Sequence, residues 1–258
     1  MKVSIVTISY NQSIFIERAI LSVINQNYSE IEYIVIDAGS SDGSREIIEK
    51  YRNRITKIIY EKDKGPADGL NRGFSQATGK VFGFLNADDE YLPGAITRVV
   101  NFFSKNKDVD IISGQGFFID ENDRRLKKIF PTKFTPWLYA HGSVTVFQQG
   151  TFFRPNFFKK VSGFNILNET CWDAELFLDM VIAGSNYKII TDELALFRQH
   201  KDSITVSGRL KVKSHEDQLR LFFKIKKRKY NIFFDIPQNF LARLIKYSIR
   251  FLSLHNNK

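Results

Sequence analysis

The sequence predicts an α/β fold, with a mostly parallel central sheet flanked by helices and a basic helical extension at the C-terminus. Three observations carry this expectation. Apolar runs of strand length alternate with stretches of helical periodicity over the first hundred residues. Polar residues gather where the apolar runs end. The surplus positive charge is confined to the last fifty residues.

The elements follow in order. "KVSIVTIS" (2–9) reads as a buried strand. Residues 13–27 carry Ile16, Ile20, Val23 and Ile24 at helical spacing, with Ser13 as the expected N-cap. "IEYIVID" (31–37) is a second strand, 41–53 a second helix, and "ITKIIYE" (55–61) a third strand. Residues 65–79 form a short helix closed by Gly79, and "KVFGFLN" (80–86) is the fourth strand. Residues 92–106 read as a helix with Pro93 in its first turn, where proline is tolerated. Beyond "VDIISGQGFFID" (109–120) the alternation stops. "NDRR" reads as a hairpin turn, and residues 130–153 as a loop rich in aromatics and glycine. Residues 155–165 and 173–184 read as helices, and "NYKIIT" and "ELALFRQH" as two short strands. From about Val206 the chain reads as helical.

In open parallel sheets, ligands bind at the carboxyl ends of the strands. Ser9, Tyr10, Asn11, Asp37, Asn86 and Asp88 all fall at such ends, and this convergence marks the candidate site.

Composition bounds the chemistry. The chain has 258 residues, 43% hydrophobic and 14% aromatic, enough to bury a core rather than stay disordered. The single Cys171 excludes a disulfide framework and a cysteine zinc site, and fits a reducing compartment. The N-terminus does not read as a signal peptide, and no apolar run is long enough to span a membrane. The formal charge is +10. Residues 209–258 hold thirteen Lys and Arg against three Asp and Glu, while residues 1–208 hold 25 of each. A neutral body with a basic tail points to an anionic partner for the tail.

Motifs narrow it further. There is no GxGxxG loop after the first strand, no GxxxxGK[ST], no HExxH and no GxSxG. With four histidines a His-rich metal centre is not expected. What remains is carboxylate chemistry. "GFLNADDEYLPG" (83–94) ends a buried strand on Asp88, Asp89 and Glu90. Adjacent carboxylates repel and are costly to bury unpaired. Solvent at a strand end would relieve them, and so would a divalent cation. Mg²⁺ or Mn²⁺ is held by one or two carboxylates together with substrate phosphates. The reading adopted is that the acids converge on such a metal, with Asp88 as its first ligand and Asp89 behind it.

"VTISYNQ", "YIVIDAGSSDGS", "DKGPADGLNRG", "ATGKVFGFLNADDEYLPGA" and "QGTFFRPNFFKKVSGFN" together resemble the family 2 glycosyltransferases, most closely those that build bacterial O-antigens and capsules. The resemblance covers roughly residues 1–200. It implies a GT-A fold, a nucleotide-sugar donor, UDP-linked by the resemblance alone, and an inverting mechanism that uses Mn²⁺ or Mg²⁺. Residues 1–205 would be the catalytic domain, with 1–107 the nucleotide-sugar half and 108–205 the acceptor half. Residues 206–258 would be the extension.

Carried over residue by residue, the resemblance assigns nucleotide contacts to Thr7, Ser9, Tyr10, Asp37 and Gly39. It assigns donor-side contacts to Asp68 and Arg72. The family's D-x-D metal motif falls on Asn86-Ala87-Asp88, with Asn86 replacing the first Asp. Asn86 keeps hydrogen bonding and brings no charge. Ala38 stands where many relatives carry a second Asp. The general base of the family, at the start of a helix after a G-F-[ND] turn, corresponds to Asp173 in "SGFNILNETCWDAELFL". The helix N-terminus would favour its ionised form; Glu169 and Glu175 are alternatives. Trp172 is placed to stack on a sugar, and His200 to reach the metal or diphosphate.

The acceptor implied is a glycan on undecaprenyl diphosphate or a similar lipid, on the inner face of the cytoplasmic membrane. Residues 236–255 read as a helix with Phe240, Leu241, Leu244, Ile245, Phe251 and Leu252 on one arc, and Arg243, Lys246 and Arg250 opposite. This suits an anionic membrane surface. Docking on the catalytic domain or on a second copy are the competing readings. A sugar-nucleotide pyrophosphorylase would need an opening Gly-rich loop ending in Arg, which is missing. A nucleic-acid-binding role is disfavoured by the neutral body and the lack of any motif beyond "KKRKY".

Overall fold

Four short apolar segments lie side by side in parallel and set the frame of the molecule: β1 (Val3–Ser9), β2 (Ile31–Asp37), β3 (Lys57–Tyr60) and β4 (Val81–Asn86). The computed structural model describes residues 1–201, 203, 207–208 and 210–255. The strands are joined by α1 (Ile16–Ile24), α2 (Ser44–Lys50) and α3 (Pro66–Ser75). Each crossover returns the chain to the same edge, so the β1, β2 and β4 ends align; Ser9 sits opposite Asp37, and Ile8 opposite Asn86.

The rest of the sheet is mixed. After β5 (Glu90–Tyr91) and α4 (Ala95–Lys105) come β6 (Ile111–Ile119) and β7 (Arg125–Ile129), a hairpin turned at 120–124. The expected loop at 130–153 contains α5 (Pro136–Ala140) and ends in β8 (Thr151–Phe153). Next are α6 (Pro155–Lys160), α7 (Trp172–Ile182) and one long strand, β9 (Tyr187–Arg198). The sheet order is β3-β2-β1-β4-β8-β6-β9-β5, with β7 beside β6. Thus the two short strands expected at 186–200 are one strand, whose register with β6 shifts around Gln115. Ser13 does not cap α1, which starts at Ile16 behind Phe15. The Ser13 N–H instead donates to Asp42 Oδ2 at 2.8 Å, tying the β1 and β2 loops together. Pro93 lies two residues before α4, which begins after Gly94 at φ 74°.

Core packs on both faces. One side, under α1 and α4, is mainly aliphatic; the other, under α3, α6 and α7, is built on Phe74, Phe82, Phe84, Phe153, Phe158 and Phe177. Full burial of each such ring is worth about 1.5–3 kcal/mol. The β4–β8 pairing needs Gly83, because a Cβ there would sit 2.6 Å from the Phe152 ring.

The extension forms α8 (Lys211–Lys226) and α9 (Ile232–His255). Val206, where the helical reading began, lies outside the described residues, as do the side chains of Arg250, Phe251 and Leu252. Helix α8 packs on the catalytic body through buried Leu221 and Phe222. Helix α9 turns its polar side inward. Asp235 is buried under Arg228, with oxygens 2.7 and 2.8 Å from the guanidinium. Asn239 Oδ1 lies 2.7 Å from His141 Nδ1, and Ala242 is buried beside them. Phe233, Phe240, Leu244 and Tyr247 point the other way, exposed by 87, 65, 49 and 62%. Among the described residues no helix is long and apolar enough to cross a membrane.

Candidate active site

A cleft of about 850 Å³ opens at the carboxyl ends of β1 and β4. Ser9, Tyr10, Asn86, Ala87 and Asp88 line it together with Trp172 and Asp173. Residues from three segments far apart in the sequence therefore meet in one place.

Three buried polar atoms along this edge make no hydrogen bond within the described residues: Ser9 Oγ, Asp37 Oδ2 and Asn86 Oδ1. They end three adjacent strands. Buried polar groups are nearly always paired, so a row of orphans marks where a polar ligand belongs. Asp37 is fully buried. Its Oδ1 accepts from the Gly39 and Ser40 N–H groups at 3.1 and 2.9 Å and from Arg45 Nε at 2.7 Å. Burial works against its charge, but Ser40, Arg45 and the backbone donors prevail and lower its pKa. Gly39 adopts φ 107°, the left-handed region that glycine favours, so that its N–H can turn back to Asp37. Thr7 is not at the surface of the cleft: it is fully buried and its Oγ accepts from Tyr33 Oη at 3.1 Å.

The acids after β4 do not converge, contrary to the sequence expectation. Asp89 points inward and is fully buried. Its Oδ1 accepts the Arg198 N–H at 3.0 Å, and its Oδ2 accepts from Gln149 Nε2 at 2.7 Å. Burial, with the neighbouring Asp88 charge, raises its pKa well above the usual range. Glu90 pairs with the guanidinium of Arg198. That guanidinium is fully buried, donates to the Asp88 carbonyl at 2.9 Å and to Asp123 Oδ1 at 2.6 Å, and lies 5.1 Å over the Phe15 ring. Arg198 thus neutralises the turn from behind and leaves Asp88 alone facing the cleft. It was missed because its acidic partners, Asp123 and Glu90, lie 75 and 108 residues away in the sequence.

Asp88 Oδ2 lies 3.0 Å from His200 Nε2, and His200 packs on the Phe15 ring at 4.8 Å. The two expected metal ligands are therefore adjacent. Among the described residues no group of three or more His, Cys, Asp or Glu side chains forms a ready-made cage. One carboxylate, one imidazole and the orphaned Asn86 Oδ1 nevertheless fit a Mg²⁺ or Mn²⁺ ion that completes its shell with substrate phosphate and water.

The donor-side segment is split. Lys62, Asp63, Lys64 and Gly65 line the cleft; Asp68 and Arg72 do not. Asp68 Oδ2 accepts the Lys64 N–H at 3.0 Å and pairs with Arg72 at 2.9 Å, while Arg72 also reaches Glu61 at 3.0 Å. They hold the loop from behind.

Asp173 lies in the first turn of α7 and accepts the Ala174 N–H at 2.8 Å. Burial raises its carboxyl to about 6, outweighing the backbone donors, so the expected lowering by the helix terminus is not realised. A carboxylate near 6 is still mostly ionised at neutral pH and is well matched to taking a proton. Glu175 is excluded as the alternative: it is buried, and Arg220, Asn168 and Asn165 overcome the burial cost and hold it at about 2. Glu169 lines the cleft but is paired with Lys213. Trp172 reaches the cleft, yet it is only 7% exposed and packs against Phe84 and Phe164 at 5.7 and 5.6 Å, leaving no open face for a sugar. Gln148, read only as loop, and Gln149, which opens the "QGTFFRPNFFKKVSGFN" stretch, also line the cleft.

These features can be set beside known proteins. Over 103 residues the chain is 32% identical to the GalNAc(5)-diNAcBac-PP-undecaprenol beta-1,3-glucosyltransferase of Campylobacter jejuni, covering 38% of this chain and 33% of that protein. Matched stretches span less than half the length of such curated relatives. Its fold superposes on S. aureus TarS 1–349 in complex with UDP-GlcNAc, with a TM-score of 0.73 at 17% identity, covering 96% of this chain and 72% of TarS 1–349. It superposes likewise on a mannosyltransferase from Pyrobaculum calidifontis in complex with GDP-Man and Mn²⁺, with a TM-score of 0.67 at 14% identity, covering 99% of this chain and 79% of that one. The mixed sheet is thus the GT-A fold. Residues 4–165 match the family described as Glycosyl transferase family 2, and the chain belongs to that family of glycosyltransferases.

Proposed function

We propose that the protein is a metal-dependent, inverting glycosyltransferase that moves a hexose or N-acetylhexosamine from a UDP-sugar to a lipid-linked glycan in bacterial surface-polysaccharide synthesis. The observation that carries this is the row of unpaired buried atoms that ends three adjacent strands, Ser9 Oγ, Asp37 Oδ2 and Asn86 Oδ1, with Ser9 and Asn86 lining the same cleft as Asp173. UDP-GlcNAc is bound in the TarS structure, and the Campylobacter relative is named for an undecaprenol diphosphate acceptor; both support the reading.

Each residue then has a task. Asp37 and Ser9 offer polar atoms to the nucleoside. Asp88 and His200 hold Mn²⁺ or Mg²⁺, with Asn86 as a neutral third donor. When bound, the cation offsets the charge of the donor diphosphate as it leaves. Asp173 takes the proton of the acceptor hydroxyl while that oxygen attacks the anomeric carbon from the face opposite the diphosphate. The carbon–oxygen bond to the diphosphate breaks as the new one forms, which inverts the anomeric centre.

The outward apolar side of α9 supports peripheral attachment to the inner face of the cytoplasmic membrane, where a lipid-linked acceptor is presented. The surrounding segment, thirteen basic residues against three acidic, favours an anionic surface and opposes pairing with a second copy.

A donor screen tests the function. Nucleotide release should need a lipid-diphosphate acceptor and a divalent cation, and stop in EDTA. Undiminished turnover in EDTA would remove the metal role, and no turnover with any sugar nucleotide would remove the reading.

A further inference from the structure

The segment that carries Asp173 is not held by the catalytic sheet alone. Glu175, two residues on, turns its buried carboxylate away from the cleft toward α8. Arg220 of α8 meets it with both terminal nitrogens, NH1 at 2.8 Å and NH2 at 2.7 Å. Asn168 Nδ2 donates to the same carboxylate at 2.7 Å. Asn168 Oδ1 in turn accepts the N–H groups of Thr170 and Cys171 at 3.0 and 2.9 Å. Those residues lead directly into Trp172 and Asp173. From the same helix, Asp217 Oδ2 accepts the Thr170 hydroxyl at 2.7 Å.

We propose that Arg220 is a positioning residue: acting through Glu175 and Asn168, it sets the place of Asp173 in the cleft, so that the C-terminal extension is part of the catalytic apparatus. The proposal rests on Asp173 being the base. Its physical ground is the bidentate geometry. A guanidinium across both oxygens fixes the direction of the carboxylate, and a lysine ammonium would not. A fixed Glu175 lets Asn168 grip the backbone before the base. A displacement of about 1 Å in a reacting group can cost about 10²-fold in rate.

The test compares wild type, Arg220→Met, Arg220→Lys, Asp173→Asn and the double variant Glu175→Gln/Arg220→Met, using one UDP-sugar and one lipid-diphosphate acceptor. UDP affinity and thermal stability are measured in parallel. Arg220→Met should lower kcat by about 10- to 100-fold, with UDP affinity and donor KM within about twofold of wild type. Arg220→Lys should recover part of the loss. Arg220→Met leaves the buried Glu175 carboxylate with only the Lys224 ammonium, 3.3 Å from Oε1, as its cation, and destabilises the chain. The double variant removes both charges, so it should regain stability and stay slow. If the double variant regains both stability and kcat, or if Arg220→Met turns over like wild type, the positioning role is overturned. Full activity of Asp173→Asn would instead overturn the assignment of the base, whatever Arg220 does.

Discussion

His200 Nε2 lies 3.0 Å from Asp88 Oδ2, although 112 residues separate them. One residue follows β4 and the other follows β9, and these strands are not neighbours in the sheet. The contact exists because Arg198, two residues before His200, anchors the end of β9 on the 88–90 turn. If this pair holds the cation, UDP with Mn²⁺ should raise the Tm of wild type more than UDP alone. Asp88→Asn should lose that increment and all transfer, and His200→Ala should lose most of both. A metal-dependent shift of wild-type size in Asp88→Asn would place the cation elsewhere.

The raised carboxyl of Asp173 makes a prediction about stability. Its folded pKa, about 6, lies above the ordinary 3.8. The protonated form is therefore favoured by folding, and the ionised form costs stability once pH rises through about 6. Asp173→Asn removes that cost. Its Tm should exceed that of wild type at pH 8, and the difference should shrink toward pH 3.5. An equal difference at both values would show that the carboxyl is not perturbed in this direction.

Arg198 offers a structural counterpart. Replacing it by Met leaves Glu90 and Asp123 without their buried cation, a change that typically costs about 3–5 kcal/mol. Urea titration should show a loss of that order. A loss under about 1 kcal/mol would mean the guanidinium is not what holds the turn.

Legibility of the sequence divides along a physical line. The first four strands were readable because each is a continuous apolar run with polar residues at its end. Strand β5, two residues long, and β8, three residues inside an aromatic loop, leave no pattern to read. Strand β9 was broken in two because Thr191 and Asp192 interrupt its apolar run. Ser9 and Asn86, carried by the parallel strands, line the cleft. Asp88 was set ahead of Asp89 as a ligand, but what holds Asp89 and Glu90 was not legible, since it is one buried arginine more than a hundred residues away. Arg220 and Lys224 were read only as part of the basic tail, because their partners Glu175 and Asp179 lie on another helix.

The extension also had two opposed expectations, docking or membrane contact, and α9 combines their elements: its polar side docks and its apolar side is exposed. Vesicle flotation checks the outward side. Wild type should float with anionic vesicles and dissociate in high salt. Phe233→Ser/Phe240→Ser/Leu244→Ser should stay in solution with an unchanged Tm. A protein that ignores anionic vesicles while dimerising in solution would assign this face to a second copy.

The central claim is that donor binding and proton removal are separate tasks within one cleft, at Asp88 and Asp173. The most direct measurement is UDP-sugar affinity and single-turnover transfer for wild type, Asp88→Asn and Asp173→Asn under the same conditions. The account expects Asp88→Asn to lose both binding and transfer. It expects Asp173→Asn to bind the donor nearly as wild type and to transfer about 10² to 10⁴-fold more slowly. Asp173→Asn with weakened donor binding and an unchanged transfer rate would contradict it.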